Sequence, residues 1–346
     1  MELQTHALMV ARSTNSLSRY TNPITISIDT PPVVIPKPST NPEKAFILAN
    51  TTPLSLEVID REHIIPVFVK DNEPLISHVD FIQAVEQVAT HVFLGERMSA
   101  PSVRVSHPVK GRIPSARHKS AKELLKHEET IYYERCAFVI EFPDIVETIN
   151  GNQVALTIGG VKAYNLDNLY NRKGADEHFK VFIGFENKVC TNMCVWSDGY
   201  VQTMKARSMT DLTNNIFELL TKFEPNRQLR AMQRLNNYSL SEEQFAKLVG
   251  RGRMYQYLPN ALKKEIPKLL FPDGHLNAVV KDYYQDESFC RTETGDISLW
   301  RLYNLFTGAN KQSYIDTFLD RGVNAFEFVQ AISQTLDDGE YNWFMQ

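Results

Sequence analysis

Cysteine is scarce in this chain, and long apolar runs are absent. Four cysteines in 346 residues (Cys136, Cys190, Cys194 and Cys290) are too few for a disulfide framework, and three of them lie in apolar stretches where a reduced thiol packs well. That usage points to a reducing cytoplasm. No run approaches the roughly eighteen apolar residues of a membrane span, and the short apolar patch at 7–11 lacks the positive region and long core of a signal peptide. Membrane crossing and secretion are therefore not expected. Net charge is small too: −4 does not describe a protein coated in basic residues, so only local basic faces can speak for nucleic acid.

Specific motifs are missing as well. The pair Gly159-Gly160 lacks the G-x-x-x-x-G-K-[ST] or G-x-G-x-x-G spacing of a phosphate loop and reads as a strand bulge or a close backbone approach. His107, Glu134 and Asp198 are the scattered histidine and carboxylates that any protein carries, with no nucleophile, base and orienter at a telling spacing. Cys190 and Cys194 fall on one face of an expected strand and thiolates suit zinc, but the second pair of ligands is missing. They are expected to pack. No metal, cofactor or catalytic residue is assigned.

What is present is architecture. At 178–199, HFKVFIGFENKVCTNMCVWSDG, two alternating apolar runs flank the polar Glu186-Asn187-Lys188, the pattern of a buried hairpin whose second strand runs from 189 to 196. Further strand-like runs at 103–109, 131–142 and 153–164 make the middle third mainly antiparallel sheet. Ser77 is placed to cap a helix over 78–93, and a second helix is expected at 120–127. Beyond 205 the periodicity becomes helical at 209–223, 228–238, 241–248, 278–284, 299–306, 314–319 and 323–336, with connections at 308–311 and 321–322. The expected fold is α+β: a central, mainly antiparallel sheet, flanking helices and a C-terminal helical region. A Ser/Thr/Pro-rich arm (1–45) precedes a sheet-containing domain (46–205) and a helical domain (206–346).

Charge is concentrated twice. Between Arg104 and Lys126 stand seven Lys or Arg and two His against Glu123 alone; between Arg227 and Lys268 nine Lys or Arg face three acids. Phosphate binding needs such convergence, and Arg adds bidentate geometry. Tyr132, Tyr133, Tyr255 and Tyr257 lie near these stretches and could stack on bases. A solvated face is the bland reading of both.

Five runs carry a family resemblance: SHPVKGRIP at 106–114, YYER at 132–135, GGVKAY at 159–164, FIGF with VCTN at 182–192, and YNLFTGANK at 303–311. Over roughly 45–340 the chain resembles the bacterial domain of unknown function 3871 family. More distantly, the strand and turn ending in VCTN are similar to the phage- and plasmid-type domain of unknown function 932 family. The resemblance implies a passenger of conjugative elements, plasmids or phages, where DNA handling and defence evasion are frequent tasks. It brings no established activity and no catalytic residue.

The expected function is that of a non-enzymatic nucleic-acid-associated protein of a bacterial mobile element, binding or annealing single strands. Lys110, Arg112, Arg117, Lys119 and Lys122 are the expected phosphate contacts, with Tyr132 or Tyr133 stacking on a base. The expected partner is DNA or RNA. Two other classes stay open: a protein-binding module acting on a host or element-encoded factor through a helix face in 299–336, and an enzyme built around His107, Glu134 or Asp198.

Overall fold

The computed structural model describes residues 34–35, 45–62, 76–116, 119–120, 122–165, 175–188, 190–194 and 201–346. Most of the expected N-terminal arm, Arg117, Trp196 and Asp198 lie outside these residues.

Among the described residues β1 (Val34–Ile35) and β3 (Met98–Ser99) make a small parallel pair, α1 (Leu56–Glu62) is a short helix, and seven strands form one antiparallel sheet. Its central members are β7 (Arg135–Ile149), β8 (Asn152–Ala163) and β9 (Glu177–Asn187), and β4 (Ser102–Val105) and β2 (Thr52–Leu54) extend it past β7. The β7–β8 hairpin turns on Asn150 (φ 47°) and Gly151 (φ 79°), the positive-φ pair that suits the twist of adjoining strands. On its far side β9 has two neighbours in succession, β10 (Met193–Cys194) at one end and β11 (Val201–Ala206) at the other.

The 178–199 stretch is thus a hairpin only in part. Its first strand is as expected, but among the described residues the return is two residues long. Residues 187–188 and 190–192 turn back on themselves instead: the Asn187 N–H donates to Asn192, the Thr191 N–H to Asn187, and Thr191 sits at φ 53°. A β-branched residue in the left-handed region ends a strand rather than extending it.

Both faces of the sheet are covered. On one, Phe81 of α2 (His78–Val92) lies between Phe138 and Phe179, at ring-centroid distances of 5.3 and 4.9 Å. Ser77 caps α2 with a full capping box, as its position before the apolar periodicity predicts. On the other face Phe46, Phe318 and Leu319 pack against Val139, Val161 and Phe182. Each buried Phe or Leu contributes roughly 1.5–3 kcal/mol.

Gly159 and Gly160 belong to this covering and not to a bulge. The register runs through them unbroken, and the one shift in β7–β8 lies between Phe142 and Val146. A Cβ on Gly160 would sit 2.5 Å from Phe81 Cζ and 2.9 Å from the Lys180 carbonyl oxygen, so α2 can approach only over glycine.

The helical part begins with α3 (Met209–Thr221) and α4 (Pro225–Arg234), continues through α5 (Glu242–Tyr255), α6 (Asn260–Lys263) and α7 (Asp273–Gln285), and ends in α8 (Leu299–Asn310) and α9 (Ile315–Asp338). The connection expected at 321–322 is absent: both residues lie inside α9, where Gly322 faces Asn310. The helix face offered for partners in 299–336 is mostly core, since Trp300, Leu302, Tyr303, Leu305, Phe306, Phe326, Phe328 and Val329 are all buried.

Candidate nucleic-acid interface

The first basic stretch folds into a two-stranded ribbon beside the main sheet, β5 (Pro108–Arg112) against β6 (Glu129–Tyr133). The register pairs Pro108 with Tyr133, Lys110 with Ile131 and Arg112 with Glu129 on one face. Val109 with Tyr132 and Gly111 with Thr130 make the other. Along β6 exposure alternates accordingly: Ile131 is 51% exposed, Thr130 and Tyr132 are buried, and Tyr133 is half-buried.

The two tyrosines therefore differ. Tyr132 points inward, its ring edge-on to Tyr164 at 6.2 Å. Tyr133 follows the outward series, and part of its ring packs on the core.

A buried cluster fastens the ribbon down. His78 Nε2 donates to the Tyr133 carbonyl at 2.7 Å, and its ring lies 4.5 Å from that of Tyr164. Beside them Lys162 and Glu177, both fully buried, form an ion pair at 2.8 Å, with Lys162 Nζ 3.9 Å above the Phe179 ring. The other Glu177 oxygen accepts the Ile76 N–H at 3.1 Å. Each charge is thus satisfied by a partner, which burial requires.

Between the strands, the helix expected at 120–127 does not form. Glu123 accepts the Ser120 N–H at 2.9 Å and Glu128 accepts that of Leu125 at 2.9 Å, so side chains take up the donors and the described residues make turns and a short 3₁₀ segment, Lys126–Glu128. Lys119 is drawn to Glu128 at 2.5 Å, which holds the Glu128 carboxyl below its usual range. Lys122 and Lys126 stand exposed, as does Leu125. Arg104 belongs to the sheet: it is buried and donates to Thr51 at 3.2 Å.

Among the described residues the remaining candidates do not assemble a site. His107 is exposed at the corner between β4 and β5, across from Glu134, whose carboxylate is held by Arg135 at 2.7 Å. Cys194 is fully buried and Cys190 half-buried; burial pushes the Cys190 thiol up to about 11 and that of Cys194 further still, so neither is a ready thiolate. Among the described residues no three His, Cys, Asp or Glu come close enough to hold a metal ion. In the second basic stretch Tyr255 is buried, whereas Tyr257 is 89% exposed.

The family model described as "Domain of unknown function, B. Theta Gene description (DUF3871)" matches residues 27–345. The chain belongs to this family. The match does not extend the likeness to the domain of unknown function 932 family, and neither a curated protein nor a solved structure matches the chain.

The runs on which membership in the 3871 family was legible are mostly points where elements lock together. Ser106 and Arg135 exchange hydrogen bonds at 2.9 and 3.1 Å, and the Tyr164 N–H donates to Glu134 at 2.9 Å. VCTN and YNLFTGANK, far apart in sequence, meet in space. Asn192 donates to the Asn304 carbonyl at 2.9 Å, the Asn187 amide reaches the Asn304 side chain at 3.3 Å, and Lys311 Nζ donates to the Cys190 carbonyl. Burial holds Lys311 below the usual lysine range. Each run is conspicuous alone, but their meeting could not be read from spacing.

Proposed function

We propose that this protein binds nucleic acid, with single strands as its preferred form, through the outer face of the β5–β6 ribbon and the adjoining 113–128 segment. The register carries this reading: it sets positions 108, 110 and 112 opposite Tyr133, Ile131 and Glu129 on one face, and the exposed Lys122, Lys126 and Leu125 belong to the segment joining the two strands. Cations alternating with apolar and aromatic groups suit a strand whose phosphates and unstacked bases must both be met. Tyr133, and not the buried Tyr132, is the stacking residue in this arrangement. Lys110, Arg112, Arg117 and Lys122 are the proposed phosphate contacts, while Lys119 is partly neutralised by Glu128. No covalent chemistry is assigned, and the setting proposed is a mobile element.

The test is a salt series on single-stranded DNA and RNA. Binding should weaken steeply with salt, and the double change Lys122→Gln with Lys126→Gln should flatten the slope of log K against log salt by about one to two. No mobility shift at low salt would overturn the reading. The protein-binding alternative gains one observation: Met254, Tyr257 and Leu262 are exposed on and after α5. Replacing these by Ser should then abolish partner capture while leaving nucleic-acid binding intact.

A further inference from the structure

Helices α4 and α9 enclose a cleft of about 370 Å³, with Arg227, Arg230 and Arg234 on one wall and Gln330, Ser333 and Gln334 on the other. The arginines fall at i, i+3 and i+7 of a ten-residue helix, so all three share one face. Like charges at that spacing repel unless something between them is negative. Arg234 has its answer in Asp337, which also accepts the Tyr238 hydroxyl at 2.7 Å. Arg230 is exposed and makes no ion pair or hydrogen bond with any described residue.

The facing wall supplies no carboxylate among the described residues that line the cleft. It supplies two primary amides one turn apart, and a hydroxyl that donates to the Gln330 carbonyl at 2.8 Å. A guanidinium wall opposite neutral amide donors is complementary to a compact multivalent oxyanion, because the planar fork of Arg matches two oxygens at once. The volume exceeds that of bare phosphate and falls within the range of small-molecule sites.

We propose that this cleft binds the phosphate group of a small phosphate monoester or of free phosphate, held by Arg230 and Arg227 and by the amide N–H groups of Gln330 and Gln334. The site is separate from the ribbon and does not depend on the nucleic-acid reading.

The full chain is titrated with inorganic phosphate, with adenosine 5′-monophosphate, and with sodium chloride at matched ionic strength, followed by ³¹P line width and by the thermal unfolding midpoint. Phosphate, the nucleotide or both should saturate, whereas chloride should not; the tighter of the two identifies the source. Arg230→Gln should weaken saturation by about tenfold or more. Its unfolding midpoint should stay unchanged, and Lys247→Gln, an exposed change on α5 outside the cleft, should bind normally. Saturation by neither probe, an equal response to chloride, or unaltered binding by Arg230→Gln would overturn the assignment.

Discussion

Around β5 and β6 the fold turns part of its described positive charge inward or against an acid, whereas along α4 it lines arginines up on one outer face. Arg104 is buried and Lys119 is paired with Glu128, whereas Lys122 and Lys126 stay exposed; Arg227, Arg230 and Arg234 share a cleft with amides. Both stretches look equally basic when their charges are counted. What separates them is which side chains share a face and which acid lies one turn or one strand away. Charge density along a sequence measures composition, whereas surface potential follows from periodicity and register.

The largest expected effect lies under the ribbon. Glu177→Gln would remove the carboxylate that faces the buried Lys162 and should cost about 3–5 kcal/mol in urea unfolding; an exposed change such as Arg230→Gln should stay within about 0.5 kcal/mol. Equal losses from the two would erase the distinction between a rigid ribbon seat and a solvent-facing helix. Next comes Gly160→Ala, which drives a methyl into Phe81 and should cost about 1–3 kcal/mol.

Acid should act on the helical side. His275 is held down to about 4 by burial and by Arg321, and its Nε2 lies 3.1 Å from Ser313 Oγ. A base whose folded pKa is depressed binds its proton more readily when unfolded, so stability is full above about pH 6.5 and falls as pH drops toward 4. After discount for partial exposure the loss is about 1–2 kcal/mol. His275→Gln should remove that slope in urea unfolding at pH 7 and pH 4.5. The smallest effect belongs to the ribbon's surface: Glu128→Gln removes the carboxylate that faces Lys119 and should raise single-strand affinity about two- to fivefold at low salt. An unchanged affinity would mean that Lys119 takes no part.

Much of the fold was legible. Period-two patterns located β7, β8 and β9, and Ser77 followed by the spacing of Phe81, Val85 and Val88 located α2. Asn150-Gly151 is a hairpin signal that the strand patterns alone do not exploit. The misreadings share a cause, since a local pattern was overruled by a partner elsewhere. Residues 189–192 alternate like a strand, yet Asn304 and Lys311 hold 190–192 as a loop. Arg321-Gly322 looks like a break, yet Arg321 donates to the Leu270 carbonyl at 3.0 Å and the helix runs on. The candidate site was legible only as composition. Lys119 meets an acid just beyond the counted stretch, and the far wall of the arginine cleft comes from about a hundred residues downstream.

The unbroken run of α9 links the two halves mechanically. At about 1.5 Å per residue its 24 residues make a rod of roughly 36 Å. Ile315, Phe318 and Leu319 seat its first turns on the sheet, and Asp316 and Asp320 engage Arg135 and Lys180 there; its last turns carry Gln330, Ser333 and Gln334. A stiff rod seated at both ends acts as a strut, so the spacing between the arginine cleft and Arg135, the first residue of the strand that follows the ribbon, is set by the length of one helix.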